Sequence, residues 1–217
     1  MDIISKLKSM RNEKNVIGMA RFGITGKEVL GIQIYKLRAL AKEIGRNHEL
    51  ALELAKSHIH EARLLSVFLD EPDKVMPEQM DSWALNFESW DDTDQACTSL
   101  FDQSPHAWSK VREWAKRPEL FVKRAAFSII AGLAVHDKKA HDKQLIKLLP
   151  LIKKNSTDER NYVKKAVNWA LRNIGKRNKN LNKIAIKLSI ELKESDNKTS
   201  RWIGSNAYNE LIKRFQE

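Results

Sequence analysis

The amino-acid sequence predicts an all-α protein in which pairs of helices stack as repeats. Three observations support this fold class. Helical periodicity of the apolar residues is nearly continuous from Ile32 onward. The 217 residues include only 8 glycines and 5 prolines, which is few for a fold rich in strands and tight turns. The connections between predicted helices are about two to six residues long, a length typical of antiparallel neighbours.

A repeat is visible in the second half of the chain. Residues 121–126 (FVKRAA) match residues 162–167 (YVKKAV), so the two copies begin 41 residues apart. A period near 40 residues with two helices per unit is typical of HEAT and armadillo solenoids. Such an array curves into a superhelix, and equivalent faces of its units line one concave groove. We therefore expect residues 1–217 to form a single HEAT-like repeat domain, with cations such as Arg124 and Lys165 making the groove basic.

The periodicity also places the individual helices. They are predicted at 2–14, 33–44, 47–57, 60–70, 77–86, 90–101, 105–116, 118–134, 141–153, 158–176, 179–194 and 198–215. The segment 15–31 holds half of the glycines and is predicted to be irregular, with a turn at 23–26. An anion-holding loop is the alternative for this turn, although it lacks the Lys-Ser/Thr pattern of a phosphate loop.

The charge balance indicates the class of partner. A formal net charge of +11 favours a polyanion, with nucleic acid preferred over an anionic membrane. The single cysteine, Cys97, excludes an internal disulfide and suits a reducing compartment. The first residues lack the apolar core of a signal peptide, and no apolar run reaches the length of a membrane span. We expect a soluble cytoplasmic protein.

The stretch 162–177 combines a core face with a basic face. As a helix it carries one apolar stripe, formed by Val163, Val167, Ala170 and Ile174. Lys165, Arg172 and Lys176 fall on the opposite side, and Trp169 lies among them. Either a neighbouring helix covers this tryptophan or it faces a ligand, for which nucleic acid fits best. A solvated basic surface is the alternative for the cations.

The acidic helix that follows Ser89 contains a second unusual pattern. Ser89 is a good N-cap, and Asp91 and Asp92 occupy the first turn, where the helix dipole favours acids. Asp94 instead lies at the edge of an apolar stripe, with Trp90 one turn before it. A carboxylate in that position loses hydration energy unless it is paired or has a task. A structural ion pair or cap is the alternative to a functional role.

Arg124 is the third candidate functional residue. It lies on the predicted helix 118–134, roughly opposite to the apolar stripe of that helix. We therefore expect its guanidinium to be available to a carboxylate or a phosphate. The alternative is an ordinary solvated arginine.

These residues together resemble the DNA alkylation repair family of AlkD-type DNA glycosylases. The similar motifs are Trp90-x-x-x-Asp94, Val-Lys-Arg124 before small apolar residues, and Lys-Lys-Ala-Val-Asn-Trp169-Ala-Leu-Arg. Further similar segments lie at 21–24, 37–44, 60–63 and 201–203, so the resemblance covers most of the chain.

The resemblance implies an all-helical HEAT-like solenoid that holds duplex DNA and removes N3- and N7-alkylated purines by hydrolysing the N-glycosidic bond. It makes Asp94 the catalytic aspartate, places Trp90 and Trp169 beside it, and makes Arg124 the active-site arginine. One departure is Asn168, because the family often has glycine before the second tryptophan.

Partners and cofactors follow from the same residues. The cations expected to contact DNA phosphates without reading sequence are Lys165, Arg172, Lys176, Lys164 and Lys123. No cofactor and no metal are expected, because paired Cys/His spacing is absent and His58 and His60 diverge on a helix. We expect a monomer whose partner is duplex DNA containing alkylated bases, with no membrane partner.

Two other function classes remain open at this point. One is a non-catalytic HEAT-repeat protein that binds duplex or branched DNA, since membership of a family does not guarantee its activity. The other is a helical scaffold whose basic face binds an acidic protein.

Overall fold

A computed structural model describes residues 2–215, and the regular secondary structure of these residues is helical. An isolated parallel bridge joins Glu28 to Ile59. The helices are α1 (Ile3–Ser9), α2 (Glu13–Arg21), α3 (Ile34–Ile44), α4 (His48–Leu54), α5 (His60–Leu69), α6 (Pro77–Leu85), α7 (Trp90–Ser99), α8 (Ala107–Trp114), α9 (Leu120–His136), α10 (Asp142–Ile146), α11 (Leu149–Asn155), α12 (Asn161–Arg177), α13 (Lys179–Lys193) and α14 (Lys198–Leu211). Short 3-10 helices cover Pro72–Lys74 and Phe101–Gln103. The predicted all-α class is confirmed. None of the helices in residues 2–215 is long and apolar enough to span a membrane.

The N-terminal prediction is wrong for residues 2–21, where α1 and α2 replace the single helix 2–14 and the start of the irregular segment 15–31; residues 22–31 are irregular, as predicted. The break lies at Asn12, whose N–H donates to the carbonyl of Leu30 at 2.8 Å instead of continuing α1. The Asn12 side chain then caps α2 by accepting from the N–H of Asn15 at 3.0 Å.

The predicted helix 141–153 is also two helices, α10 and α11. Pro150 lies in the first turn of α11, where its missing N–H is tolerated. A continuous helix would leave the carbonyl of Ile146 without the N–H that proline lacks.

The described chain separates into two compact units, residues 2–105 and 106–215. In the first unit α5 is central and packs against α1, α3, α4 and α7. Its residues are buried on most sides, including the two polar residues His60 and Glu61. The Glu61 carboxylate accepts from three backbone N–H groups of the loop before α3, those of Leu30, Gly31 and Ile32, at 2.8, 2.6 and 3.2 Å. This buried acid therefore fixes the loop between α2 and α3.

In the second unit α12 is central and packs against α9, α11, α13 and α14. Helix α9 is buried along nearly its whole length, whereas α12 is amphipathic. The predicted apolar stripe of α12 is confirmed, because Val163, Val167, Ala170 and Ile174 are all fully buried. The basic side of α12 consequently faces away from the core of this unit.

Candidate functional site

The start of α7 is stabilised by a reciprocal cap. The Ser89 hydroxyl accepts from the N–H of Asp92 at 3.4 Å, and the Asp92 carboxylate accepts from the N–H groups of Ser89 and Glu88, each at 3.0 Å. Burial raises the pKa of the Asp92 carboxyl, although these hydrogen bonds and the nearby Arg63 act in the opposite direction. Asp92 therefore has a structural role at the start of α7.

Asp91 is also part of the scaffold. Its Oδ2 lies 3.2 Å from Nε2 of His60, an imidazole that is fully buried in α5. The pair connects the first turn of α7 to the central helix of the unit. Two of the three acids near the start of α7 therefore hold the helix in place.

Asp94 and Trp90 lie one turn apart on α7, and both side chains are partly exposed. Cys97, on the same helix, is fully buried, so Asp94 stands at the edge of an apolar stripe as its spacing predicted. The indole N–H of Trp90 donates to the carbonyl of Phe22 at 2.8 Å. Phe22 is the residue that ends α2, so the end of α2 orients this tryptophan.

Arg124 is less accessible than its helical position predicted. Only 6% of the residue is exposed, because Tyr162 at the start of α12 packs over it. Its Nη1 donates to the carbonyl of Tyr162 at 2.6 Å, and the guanidinium carbon lies 5.9 Å from the tyrosine ring centroid. Phe121 supports the same ring at 5.6 Å between centroids. The expectation that the Arg124 guanidinium is openly available to a carboxylate or a phosphate is wrong. The role of Arg124 as the active-site arginine stays a prediction.

Trp169 lies outside the core stripe of α12 and is partly exposed. The preceding Asn168 is 97% buried, and its Nδ2 donates to Oδ1 of Asn206 on α14 at 2.7 Å. The side chain that replaces the expected glycine thus fastens α12 to α14. A glycine at position 168 could not make this bond.

The predicted phosphate-contacting cations have different surroundings. Arg172 and Lys176 both contact the Glu210 carboxylate of α14, with Arg172 Nη1 on Oε2 and Lys176 Nζ 3.0 Å from Oε1. Burial raises the pKa of Glu210, but the hydrogen bonds from Lys176 and Arg172 outweigh it, so the pKa lies below its usual value. Glu210 is therefore ionised at neutral pH and partly neutralises both cations.

The remaining three cations lie nearer the start of α9 and α12. Lys123 Nζ is 3.6 Å from Oδ2 of Asp158. Lys164 Nζ lies 4.7 Å from the ring centroid of Trp202 on α14, a cation–π contact. Lys165 is exposed. The sequence pattern did not show that these cations have partners. Glu210, Asp158 and Trp202 each lie more than 30 positions along the chain from the cation that they contact.

The chain matches the model of the DNA alkylation repair enzyme family over residues 3–211. The protein belongs to this family. None of the curated proteins compared with the chain matches it. The predicted resemblance to the family is therefore confirmed by the family model itself.

The fold of this DNA alkylation repair family member is confirmed by a solved structure. That structure is described as a new family of proteins related to the HEAT-like repeat DNA glycosylases with affinity for branched DNA structures. It superposes with a TM-score of 0.79, covering 98% of this chain and 96% of that chain at 18% identity. The chain thus has the HEAT-like repeat fold. An engineered protein (TM-score 0.47, 16% identity, 97% of this chain and 99% of that one) and a designed armadillo repeat protein (0.37, 16%, 82% and 92%) are more distant.

Three histidines of this family member, including His60 described above, lie against acids. His58 lies 2.9 Å from Glu28, and His48 lies 2.6 Å from Asp70. Within residues 2–215, no three His, Cys, Asp or Glu side chains are grouped so that they could hold a metal ion.

Proposed function

We propose that the protein is a DNA glycosylase that hydrolyses the N-glycosidic bond of cationic N3- or N7-alkylated purines in duplex DNA. One observation carries the proposal. In a chain of the DNA alkylation repair family, α7 carries Trp90 and Asp94 one turn apart, and both side chains are partly exposed.

Asp94 suits the chemistry of this reaction. An N3- or N7-alkylated purine already carries positive charge, so it leaves without a general acid. As the bond from C1′ to the purine nitrogen breaks, its electron pair passes to the base and the sugar becomes oxocarbenium-like. A carboxylate near C1′ stabilises that cation and orients water, whose oxygen bonds to C1′ while its proton passes to the carboxylate or solvent. The proposed reaction needs no metal and no cofactor.

The two tryptophans would assist through their π faces. A cationic lesion or sugar next to an indole gains about 0.5–2 kcal/mol from the ring quadrupole. The hydrogen bond to the Phe22 carbonyl fixes Trp90 before DNA binds, which lowers the ordering cost of such a contact. Trp169 and Arg124, in the second unit, are assigned to DNA on the strength of the family motif, and Lys165 is proposed as a phosphate contact.

The decisive experiment is an assay of base release. The purified protein is incubated with duplex DNA methylated at purines, and free 7-methylguanine and 3-methyladenine are quantified against a reaction without protein. Release above the spontaneous rate is expected. A protein that binds the duplex but releases no base would overturn the glycosylase proposal.

A second candidate function has one observation in its favour. The solved structure with TM-score 0.79 belongs to proteins related to the glycosylases and described by their affinity for branched DNA structures. Binding of duplex or branched DNA without catalysis is therefore the alternative. Base release by the wild-type protein decides between the two.

The carboxylate of Glu210 provides a test of the DNA-contacting cations. Replacing Glu210 by glutamine should strengthen binding to any duplex, because Arg172 and Lys176 would no longer share its negative charge. The slope of the logarithm of the binding constant against the logarithm of the salt concentration should become steeper, by the equivalent of about one to two additional phosphate contacts. Because these side chains are partly exposed, loss of the ion pairs should lower the free energy of unfolding by less than about 1 kcal/mol.

Glu191→Gln is the matched control for that measurement. Glu191 lies on α13 in the same unit and pairs with Lys153, which is not a predicted DNA contact. The Glu191→Gln substitution removes the same charge as Glu210→Gln. Its effect on the salt slope therefore measures the general contribution of net charge. Equal slopes for Glu210→Gln and Glu191→Gln would show that Arg172 and Lys176 do not contact phosphates.

A further inference from the structure

Helix α14 continues the series formed by α9 and α12 in the second unit. The three helices bury small and aliphatic residues at equivalent positions, which are Ala125, Ile129 and Leu133; Ala166, Ala170 and Ile174; and Ile203, Ala207 and Leu211. The contacts of Asn168 with Asn206 and of Arg172 with Glu210 join partners 38 positions apart, so α12 and α14 lie side by side along this stretch. The repeat therefore extends into the last helix, where the sequence pattern had not shown it.

This register assigns an equivalent position to Trp202. On each helix, one residue immediately precedes the first of these buried positions. It is Arg124 on α9, Lys165 on α12 and Trp202 on α14. Two of the three are predicted DNA contacts. Trp202 thus stands where the preceding repeats carry cations.

Trp202 is exposed at that position. The residue is 39% exposed, more than any of the other tryptophans, all of which lie within residues 2–215. The Lys164 ammonium lies 4.7 Å from its ring centroid. An exposed indole of this size leaves apolar surface in water, and contact with one ammonium group does not remove it.

Further cations lie on the same two helices, α12 and α14. Lys165 and Lys198 are exposed, and Lys198 is one turn before Trp202 on α14. Arg201 is held in place because its Nη1 donates to the carbonyls of Ser195 and Asp196 at 3.0 and 2.7 Å. A flat aromatic surface among cations fits a nucleotide, whose base stacks on the ring while its phosphate meets the positive charges.

We propose that Trp202 is a stacking site for an unpaired base of DNA, with Lys164 and Lys165 contacting the adjoining phosphates. A base within an intact duplex has both faces covered by its neighbours, so only an unpaired or extruded base can offer a face to the indole. The proposal rests on the DNA-binding part of the proposed function and is independent of hydrolysis by Asp94.

The test compares two DNAs by fluorescence anisotropy: a short intact duplex, and the same duplex carrying one unpaired nucleotide in a bulge. Trp202→Ala should weaken binding to the bulged DNA about tenfold and leave binding to the intact duplex within about twofold. Trp202→Phe, which keeps an aromatic face, should retain most of the affinity. Ile190→Ala is the matched control, because Ile190 lies on α13 and is also 39% exposed.

The outcomes separate this inference from the glycosylase proposal. Equal affinity of Trp202→Ala and wild type for the bulged DNA overturns the stacking site, and so does an equal loss on both DNAs. A wild-type protein that binds neither DNA overturns the site together with the DNA-binding proposal. If the selective loss is seen but methylated duplex yields no free base, the stacking site stands and hydrolysis fails.

Discussion

Replacing Asp94 by asparagine is expected to lower the rate of alkylpurine release by about two to four orders of magnitude. Asparagine keeps the size and polarity of the side chain but carries no charge, so it cannot stabilise the oxocarbenium-like sugar or accept the proton of water. Affinity for intact duplex should stay within about twofold, because phosphate contacts dominate that affinity. Single-turnover release of 7-methylguanine and duplex binding are measured on the same preparations.

Asp92→Asn is the contrasting variant for this experiment. Asp92 lies two residues before Asp94 on α7, but its carboxylate is buried and accepts from backbone N–H groups of the helix start. Its loss should cost about 1–2 kcal/mol of stability through the cap and leave the release rate of the folded protein nearly unchanged. Thermal unfolding of both variants separates the two effects.

Asp73→Asn serves as the surface control, since Asp73 is exposed in the same unit. It should alter neither the release rate nor the melting temperature. If Asp94→Asn releases alkylpurines as fast as this control does, Asp94 is not the catalytic group. The base-release activity of the wild-type protein would then need another residue.

Local patterns predicted most of the helices because their determinants lie within a few residues of each other. Periodic apolar residues, the Ser89 cap and the Trp90-to-Asp94 spacing are all read along one helix. The break at Asn12 could not be predicted in this way. It depends on a hydrogen bond to Leu30, which only the packed fold brings within reach.

The same physical difference explains what was missed at the candidate site. The residues that could act were predicted from helical position, but their partners come from other helices. Phe22 lies 68 residues before Trp90, Tyr162 lies 38 residues after Arg124, and Glu210 lies 38 residues after Arg172. Helical periodicity gives the direction of a side chain from its own axis and says nothing about which neighbour covers it. This is why Arg124 is buried although it points away from its apolar stripe.

The loop between α2 and α3 depends on the absence of a side chain at Gly31. Its φ of +75° lies in the left-handed region, and a Cβ there would lie 2.3 Å from the carbonyl oxygen of Asn12 and 2.9 Å from the nitrogen of Val16. Both atoms belong to the backbone at the start of α2, so neither can move away cheaply. Gly31→Ala is expected to lower the free energy of unfolding by about 2–5 kcal/mol, combining strain in φ with the backbone overlap.

Two other glycines of the same unit serve as references for the strain in φ and for the backbone overlap. Gly45 has a φ of +86° but nothing within 4 Å of an added Cβ, so Gly45→Ala measures the conformational strain alone. Gly18 lies within α2 with the same open space, and Gly18→Ala should stabilise that helix by up to about 1 kcal/mol. Chemical denaturation of the three variants gives the comparison. Equal losses for Gly31→Ala and Gly45→Ala would show that the overlap with α2 contributes nothing.

The Gly31→Ala substitution should also affect Trp90 of the candidate site by displacing α2. That helix begins against Gly31 and ends at Phe22, whose carbonyl accepts from the Trp90 indole. Displacement of α2 by the new methyl group would remove this acceptor and leave Trp90 without its fixed orientation. Base release by Gly31→Ala, measured at a temperature where the variant is fully folded, should therefore fall below that of Gly45→Ala. Equal release by the two folded variants would mean that Trp90 keeps its function without the Phe22 carbonyl.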